Sequence, residues 1–190
     1  MQNLEDAKLI QSINKLTELA RQSIMKNSRN NNKLFDKVQE KGIELFGMSD
    51  KDYDGVTMWN KETKKPQIYL DVEHQNKECQ LFTLTHELGH LFLDFNWTPY
   101  GFIKDEPNQK VLSIKFRDKN KIDDAMKFSE KIANEFAGAF LMPKYDVEDV
   151  ISANMSDNEK ISQVSTACKV TKNAAKNRLI VLNEITNDKK

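Results

Sequence analysis

The chain has 190 residues, enough for one compact domain with a real core, or a core plus a small appendage. Lys+Arg and Asp+Glu both number 29, so no global field favours nucleic acid or an anionic membrane, and only a local basic patch stays open. Charged residues make up 31% and hydrophobic residues 38%, no apolar run approaches a membrane span, and the start Met1-Gln2-Asn3-Leu4-Glu5-Asp6 lacks a signal-peptide layout.

In chain order, the first expected element is a helix from Leu4 to Met25, with Leu9, Ile13, Leu16, Ala20 and Ile24 as its apolar stripe. Asn27 to Asn32 is a polar break. A second helix is expected over Lys33–Lys41, stopped by Gly42. The period then changes to that of strands. Gly42–Phe46, Gly55–Trp59 and Gln67–Asp71 read as three short strands, the last two forming a hairpin around Asn60–Pro66. Gln67–Asp71 could offer an edge to an extended peptide, unless neighbours pair it on both sides.

A third helix is expected over Leu81–Phe95, where Leu81, Leu84, Leu88, Leu91 and Phe95 form a stripe and Thr83, His86, Glu87, His90 and Asp94 fall opposite. It contains His86-Glu87-Leu88-Gly89-His90, an HExxH pattern. Histidines four residues apart on a helix aim two imidazoles at one point, which suits one tetrahedral Zn²⁺. Glu87 projects beside that point, placed to take a proton from water activated by the metal. The competing explanation is an accidental match. Only three histidines exist in the chain, and two of them occupy this spacing. The third, His74, reads as a surface or supporting residue. Cys79 and Cys168 form no disulfide framework and neither has a CxxC partner, which suits a reducing cytoplasm.

Asn96–Asn120 is the least regular stretch, with Val111–Phe116 as one more candidate strand. A further helix is expected over Asp123–Met142, with Met126, Ala133, Phe136, Ala137 and Phe140 inward, closed by Pro143. It supplies two candidates for a third metal ligand. At about 100° per residue, Glu130 lines up with Ala133, Asn134 and Ala137 on the packing side, whereas Glu135 points away toward solvent. The small residues Ala133, Ala137, Gly138 and Ala139 would let this helix approach the HExxH helix closely. A carboxylate buried at that contact needs a positive partner, and zinc supplies one. The residues alone leave a solvated Glu130 as the alternative. Asn134 and Asp94 are candidates to orient the ligands, and Tyr100, Tyr145 and His74 are unranked candidates for an oxyanion donor. Beyond Pro143, Asp157–Ile185 reads as two helices joined at Lys169-Val170-Thr171, with Thr171 as N-cap.

Phe82–His90, Glu130–Ala137 and Phe140–Pro143 together resemble the ImmA/IrrE family of zinc metallopeptidases, over residues 33–185. The resemblance implies a zincin-like α+β fold, an HExxH helix packed on a small three-stranded sheet. The chain is expected to divide into a helical N-terminal extension (1–26), which is additional to the family, a peptidase domain (27–150) and a helical, helix–turn–helix-like tail (151–190). The resemblance implies Zn²⁺ held by His86, His90 and Glu130, with Glu87 as base. The implied activity is limited cleavage of an intracellular protein, a helix–turn–helix repressor of a phage or mobile element. The forty residues from His90 to Glu130 look longer than usual for the family, so an insertion is expected over 101–122. A different class of reading is a DNA-binding or protein-interaction regulatory module with little protease activity, in which Lys172, Asn173, Lys176 and Arg178 would meet phosphates. The charge balance makes direct nucleic-acid binding the weaker expectation.

Overall fold

In a computed structural model the described residues are 2–102, 107, 110–116 and 124–186. Helix α1 (Gln2–Met25) ends where Lys26 takes a positive φ of 53°. A 3-10 turn (Asn31–Lys33) leads into α2 (Leu34–Glu40), and Gly42, with φ of 87°, turns the chain into the sheet. The strands are β1 (Glu44–Met48), β2 (Tyr53–Asn60) and β3 (Lys65–Asp71). Helix α3 (Lys77–Leu93) follows, capped by the Asn76 side chain accepting from the Cys79 N–H. Next come a two-residue ladder of β4 (Trp97–Thr98) with β5 (Gly101–Phe102), then β6 (Val111–Phe116), α4 (Asp124–Leu141) and α5 (Lys144–Glu148). The chain closes with α6 (Asp157–Cys168), which has a Ser156/Glu159 capping box, and α7 (Lys172–Val181), which has Thr171 as N-cap.

Among the described residues the sheet is four-stranded in the order β1-β3-β2-β6, because Val111–Phe116 joins the three expected strands. The β2–β3 hairpin is antiparallel as expected, and β1 lies parallel to β3. Gln67–Asp71 is therefore flanked on both sides and offers no edge; the edges belong to β1 and β6. Helix α3 contacts β2, β3 and β6 as well as α4, while α1 and α7 pack on α4. This mixed α+β layering fits a zincin-like fold.

Leu81, Leu84, Leu88 and Leu91 are all buried, as their spacing predicts, but the opposite face of α3 is buried too. Thr83, Thr85, His86, Glu87 and His90 lie under the sheet or α4, so polar character does not mark a solvated face here. The stripe of α1 is rotated from expectation. Thr17 and Arg21 join Ile13, Ala20 and Ile24 inside, whereas Leu16 is exposed. Met126 is likewise exposed, while Phe136, Ala137 and Phe140 are fully buried. The expected insertion over 101–122 falls largely outside the described residues. No helix among the described residues is long and apolar enough to cross a membrane.

The last turn of α4 is tied from three directions. Arg21 Nη1 donates to the Phe140 carbonyl at 2.7 Å, Asn31 Nδ2 to that of Leu141 at 2.8 Å, and Arg178 Nε to that of Met142 at 3.0 Å. Helix C-termini leave carbonyls without intrahelical partners, and here α1, the 3-10 turn and α7 satisfy them. The polar break thus contains a buried residue, Asn31, that also reaches the Cys168 carbonyl at 2.8 Å.

Candidate metal centre

The site forms where α3 and α4 touch. Gly89 lets them approach: a Cβ added there would stand 3.2 Å from Ala133 Cα and 3.3 Å from Ala133 O. His86 and His90, one helical turn apart, aim their Nε2 atoms at one point, 3.0 Å from each other. Glu130, one turn before Ala133 on α4, closes the triangle. Its Oε1 lies 3.1 Å from His90 Nε2 and its Oε2 lies 3.3 Å from His86 Nε2. Both imidazoles are buried and the Glu130 side chain is 13% exposed.

The spacing itself tests whether a metal fits. Ligand atoms about 2.0–2.1 Å from a tetrahedral ion stand about 3.3 Å apart, close to the three observed separations. These three residues also form the cluster of ligating groups among the described residues whose atoms lie within 4.8 Å of one another. The cluster can hold a metal ion, leaving a fourth position open.

The surroundings fix the imidazoles through their other nitrogens. His86 Nδ1 is 3.0 Å from Asn134 Oδ1 and His90 Nδ1 is 2.7 Å from Asp94 Oδ2. Ser129 Oγ donates to that same Asp94 oxygen at 2.5 Å. A carboxamide or carboxylate oxygen facing Nδ1 holds the proton there and leaves Nε2 with its lone pair for a metal. Electrostatics follow the same geometry. Burial pushes the His86 imidazole below its ordinary pKa, and the Lys115 charge adds to this. Burial also works against a charged His90, but Asp94 and Glu130 together outweigh it and push it up to about 9. Burial would raise the Glu130 carboxyl, yet the two histidines hold it well below the usual carboxylate range.

Glu87 is fully buried on the sheet side of α3. Thr57 Oγ1 donates to its Oε2 at 2.6 Å and Ser113 Oγ donates to the same atom. Its Oε1 is buried with no hydrogen-bond partner among the described residues. A buried carboxylate oxygen without a donor is costly, and a bound water would supply one.

A cleft of about 740 Å³ reaches this centre at Glu130, with Phe82, Lys115, Asn134, Asn173 and Asn177 also among its lining residues. Glu135 also lines it, facing the charge of Arg178 rather than bulk solvent as its helical angle implied. Of the residues considered for an oxyanion donor, Tyr100 is 95% exposed, Tyr145 lies beneath the Arg29 guanidinium and His74 pairs with Asp71 at 3.1 Å. None of the three lines the cleft. The cleft holds Lys115 instead, its Nζ 4.8 Å above the Phe82 ring, one turn before His86. Arg178 is buried in hydrogen bonds to Met142 and Asn14 and is not available to a phosphate, while Lys172 and Lys176 are exposed.

A family model described as the IrrE N-terminal-like domain of peptidases matches residues 38–180. The chain belongs to this family. The match runs from the end of α2 to the end of α7 and contains His86, Glu87, His90 and Glu130. No curated protein matches the chain. The family is one of metallopeptidases, in keeping with a buried cluster able to hold a metal. Thr57, Ser113, Ser129 and Lys115 are the neighbours of the site that sequence reasoning missed. For Thr57 the signal was present: it occupies an inward strand position, between Gly55 and Trp59, in the hairpin preceding the HExxH helix.

Proposed function

We propose that the chain is a zinc endopeptidase of the gluzincin type, in which His86, His90 and Glu130 hold zinc and Glu87 is the general base. The observation that carries this reading is the division of labour between two glutamates. The Glu130 carboxylate meets both Nε2 atoms, while Glu87, next to His86 on α3, keeps one buried oxygen without a partner among the described residues. Two histidines and a glutamate are a donor set of catalytic zinc sites, which keep a fourth position for water. A bound zinc supplies Lewis acidity, polarising a peptide carbonyl and making water acidic near neutral pH. Glu87 Oε1 accepts the proton of the attacking water and returns it to the departing amine nitrogen. Asn134 and Asp94 keep the imidazoles turned for binding. We place the substrate segment in the cleft lined by residues of α3, α4 and α7 and by Lys115 of β6.

The substrate we propose is an intracellular helix–turn–helix repressor of a phage or mobile element, cut once in the cytoplasm; the family resemblance supports it. The burial of Arg178 counts against direct contact between α7 and DNA. The experiment combines metal analysis with digestion. Wild-type protein is expected to carry about one zinc per chain, to lose it in Glu130→Gln and to keep it in Glu135→Gln. Glu87→Gln is expected to keep zinc while cleavage of a repressor encoded beside the gene falls by on the order of a hundredfold or more. Full cleavage by Glu87→Gln, or zinc retained by Glu130→Gln, overturns the assignment.

A further inference from the structure

Glu87 is reached from the sheet by two hydroxyls that form one cross-strand pair. Thr57 of β2 and Ser113 of β6 are directly opposite in the antiparallel register, so their side chains leave the same face of the sheet side by side. Both donate to one atom, Glu87 Oε2. Thr57 is fully buried. Gly55, two residues earlier on the same face of β2, completes the cradle: a Cβ there would lie 3.3 Å from Glu87 Oε1 and 2.6 Å from Thr83 Cγ2. The carboxylate is thus gripped through one oxygen, and the strand beneath the other is bare.

We infer that Thr57 and Ser113 are positioning residues that hold Glu87 by Oε2, so that Oε1 alone faces the reacting water. This rests on the reading of Glu87 as the base. A glutamate has three side-chain torsions, and in a cavity it would sample several of them; two donors on one oxygen select one rotamer. Glu87 shares α3 with His86 and His90, but the two hydroxyls that grip its carboxylate come from the sheet and donate to Glu87, not to a ligand. Losing the grip is expected to lower turnover without emptying the metal site.

The test uses the zinc-loaded full chain, with Thr57→Val, Ser113→Ala, their combination and the conservative Thr57→Ser. The probe is a quenched fluorescent peptide chosen from those that wild type cuts in a peptide-library digest. Each hydroxyl removed is expected to lower kcat by roughly ten- to a hundredfold, with KM and zinc content unchanged, and Thr57→Ser to restore most of the rate. A crystal structure of the zinc-loaded double variant needs no substrate and is expected to show Glu87 leaving its rotamer. An unmoved Glu87 in that structure refutes the inference, as does unaltered kcat in the double variant when Glu87→Gln is inactive. Were Glu87→Gln itself fully active, the assignment of the base would fail, a separate outcome from the loss of grip.

Discussion

Replacing Gly89 with alanine sets two effects of opposite sign against each other. In a helix interior, alanine is more favourable than glycine by about 1 kcal/mol, so an unobstructed site would gain stability. Gly89 is obstructed: the new methyl would lie 3.2 Å from Ala133 Cα, 3.3 Å from Ala133 O and 3.3 Å from Phe136 Cβ. Carbon atoms prefer separations of about 3.5–4.0 Å, so α3 and α4 must part by about 0.4 Å. Two of the three atoms belong to backbone and cannot rotate away. Overpacking of this kind costs about 1–3 kcal/mol, which leaves the variant between neutral and about 2 kcal/mol less stable. The larger effect falls on the metal. Glu130 is one turn from Ala133 and moves with it, whereas metal–ligand distances tolerate only about 0.2 Å. Zinc affinity is expected to fall by roughly ten- to a hundredfold, the range seen when supports around a ligand are disturbed. Competition against a chromophoric chelator measures this, with chemical denaturation of the metal-free protein measuring stability. Gly138→Ala is the control, since its nearest new contact is Arg178 Cδ at 3.9 Å and the propensity gain should appear alone. A Gly89→Ala protein that is stabilised like the control and binds zinc as tightly as wild type would refute the argument.

Arg21→Met is expected to destabilise the chain by about 2–5 kcal/mol, because it strips the donor from the Phe140 carbonyl and from Asn31 Oδ1 within a buried site. That corresponds to a fall in Tm of roughly 5–15 °C, and a shift below about 2 °C would show that these bonds contribute little. The two thiols are expected to differ in reactivity. Burial, with Asp146 adding, pushes Cys168 up to about 11, so a disulfide reagent at pH 8 should reach it only on unfolding. Cys79, part-exposed at the cleft and raised mainly by burial, should react in the folded protein; equal rates at both would contradict the packing around Cys168.

Periodicity and chain-stopping residues made much of the architecture legible. The leucines of α3, the stops at Gly42 and Pro143, the hairpin around Asn60–Pro66 and the cap at Thr171 are local features, and local sequence encodes them. The histidine spacing carried the pair of imidazoles, and the helical angle separated Glu130 from Glu135. Misreadings occurred where a polar residue is buried. Arg21 and Asn31 lie inside because their partners are carbonyls at the distant end of α4, which no short window contains, whereas Thr17 is buried with its hydroxyl on the Ile13 carbonyl of its own helix. Glu135 faces the cleft because α7 packs beside α4, a tertiary fact absent from the angle around one helix. The Thr57–Ser113 pair depends on the register between β2 and β6, strands separated by fifty residues of chain and a helix.

The three donors around the last turn of α4 hold one end of a rod whose other half carries Glu130. From Glu130 to Phe140 the rise is roughly 15 Å. A tilt of a few degrees at the fastened end therefore moves the carboxylate by most of an ångström, beyond what coordination tolerates. The Glu130 carboxylate is aimed, in this sense, by residues 21, 31 and 178, none of which belongs to the His86, His90 and Glu130 cluster. Loosening any of these fastenings should blunt zinc binding while every atom of the HExxH helix stays in place.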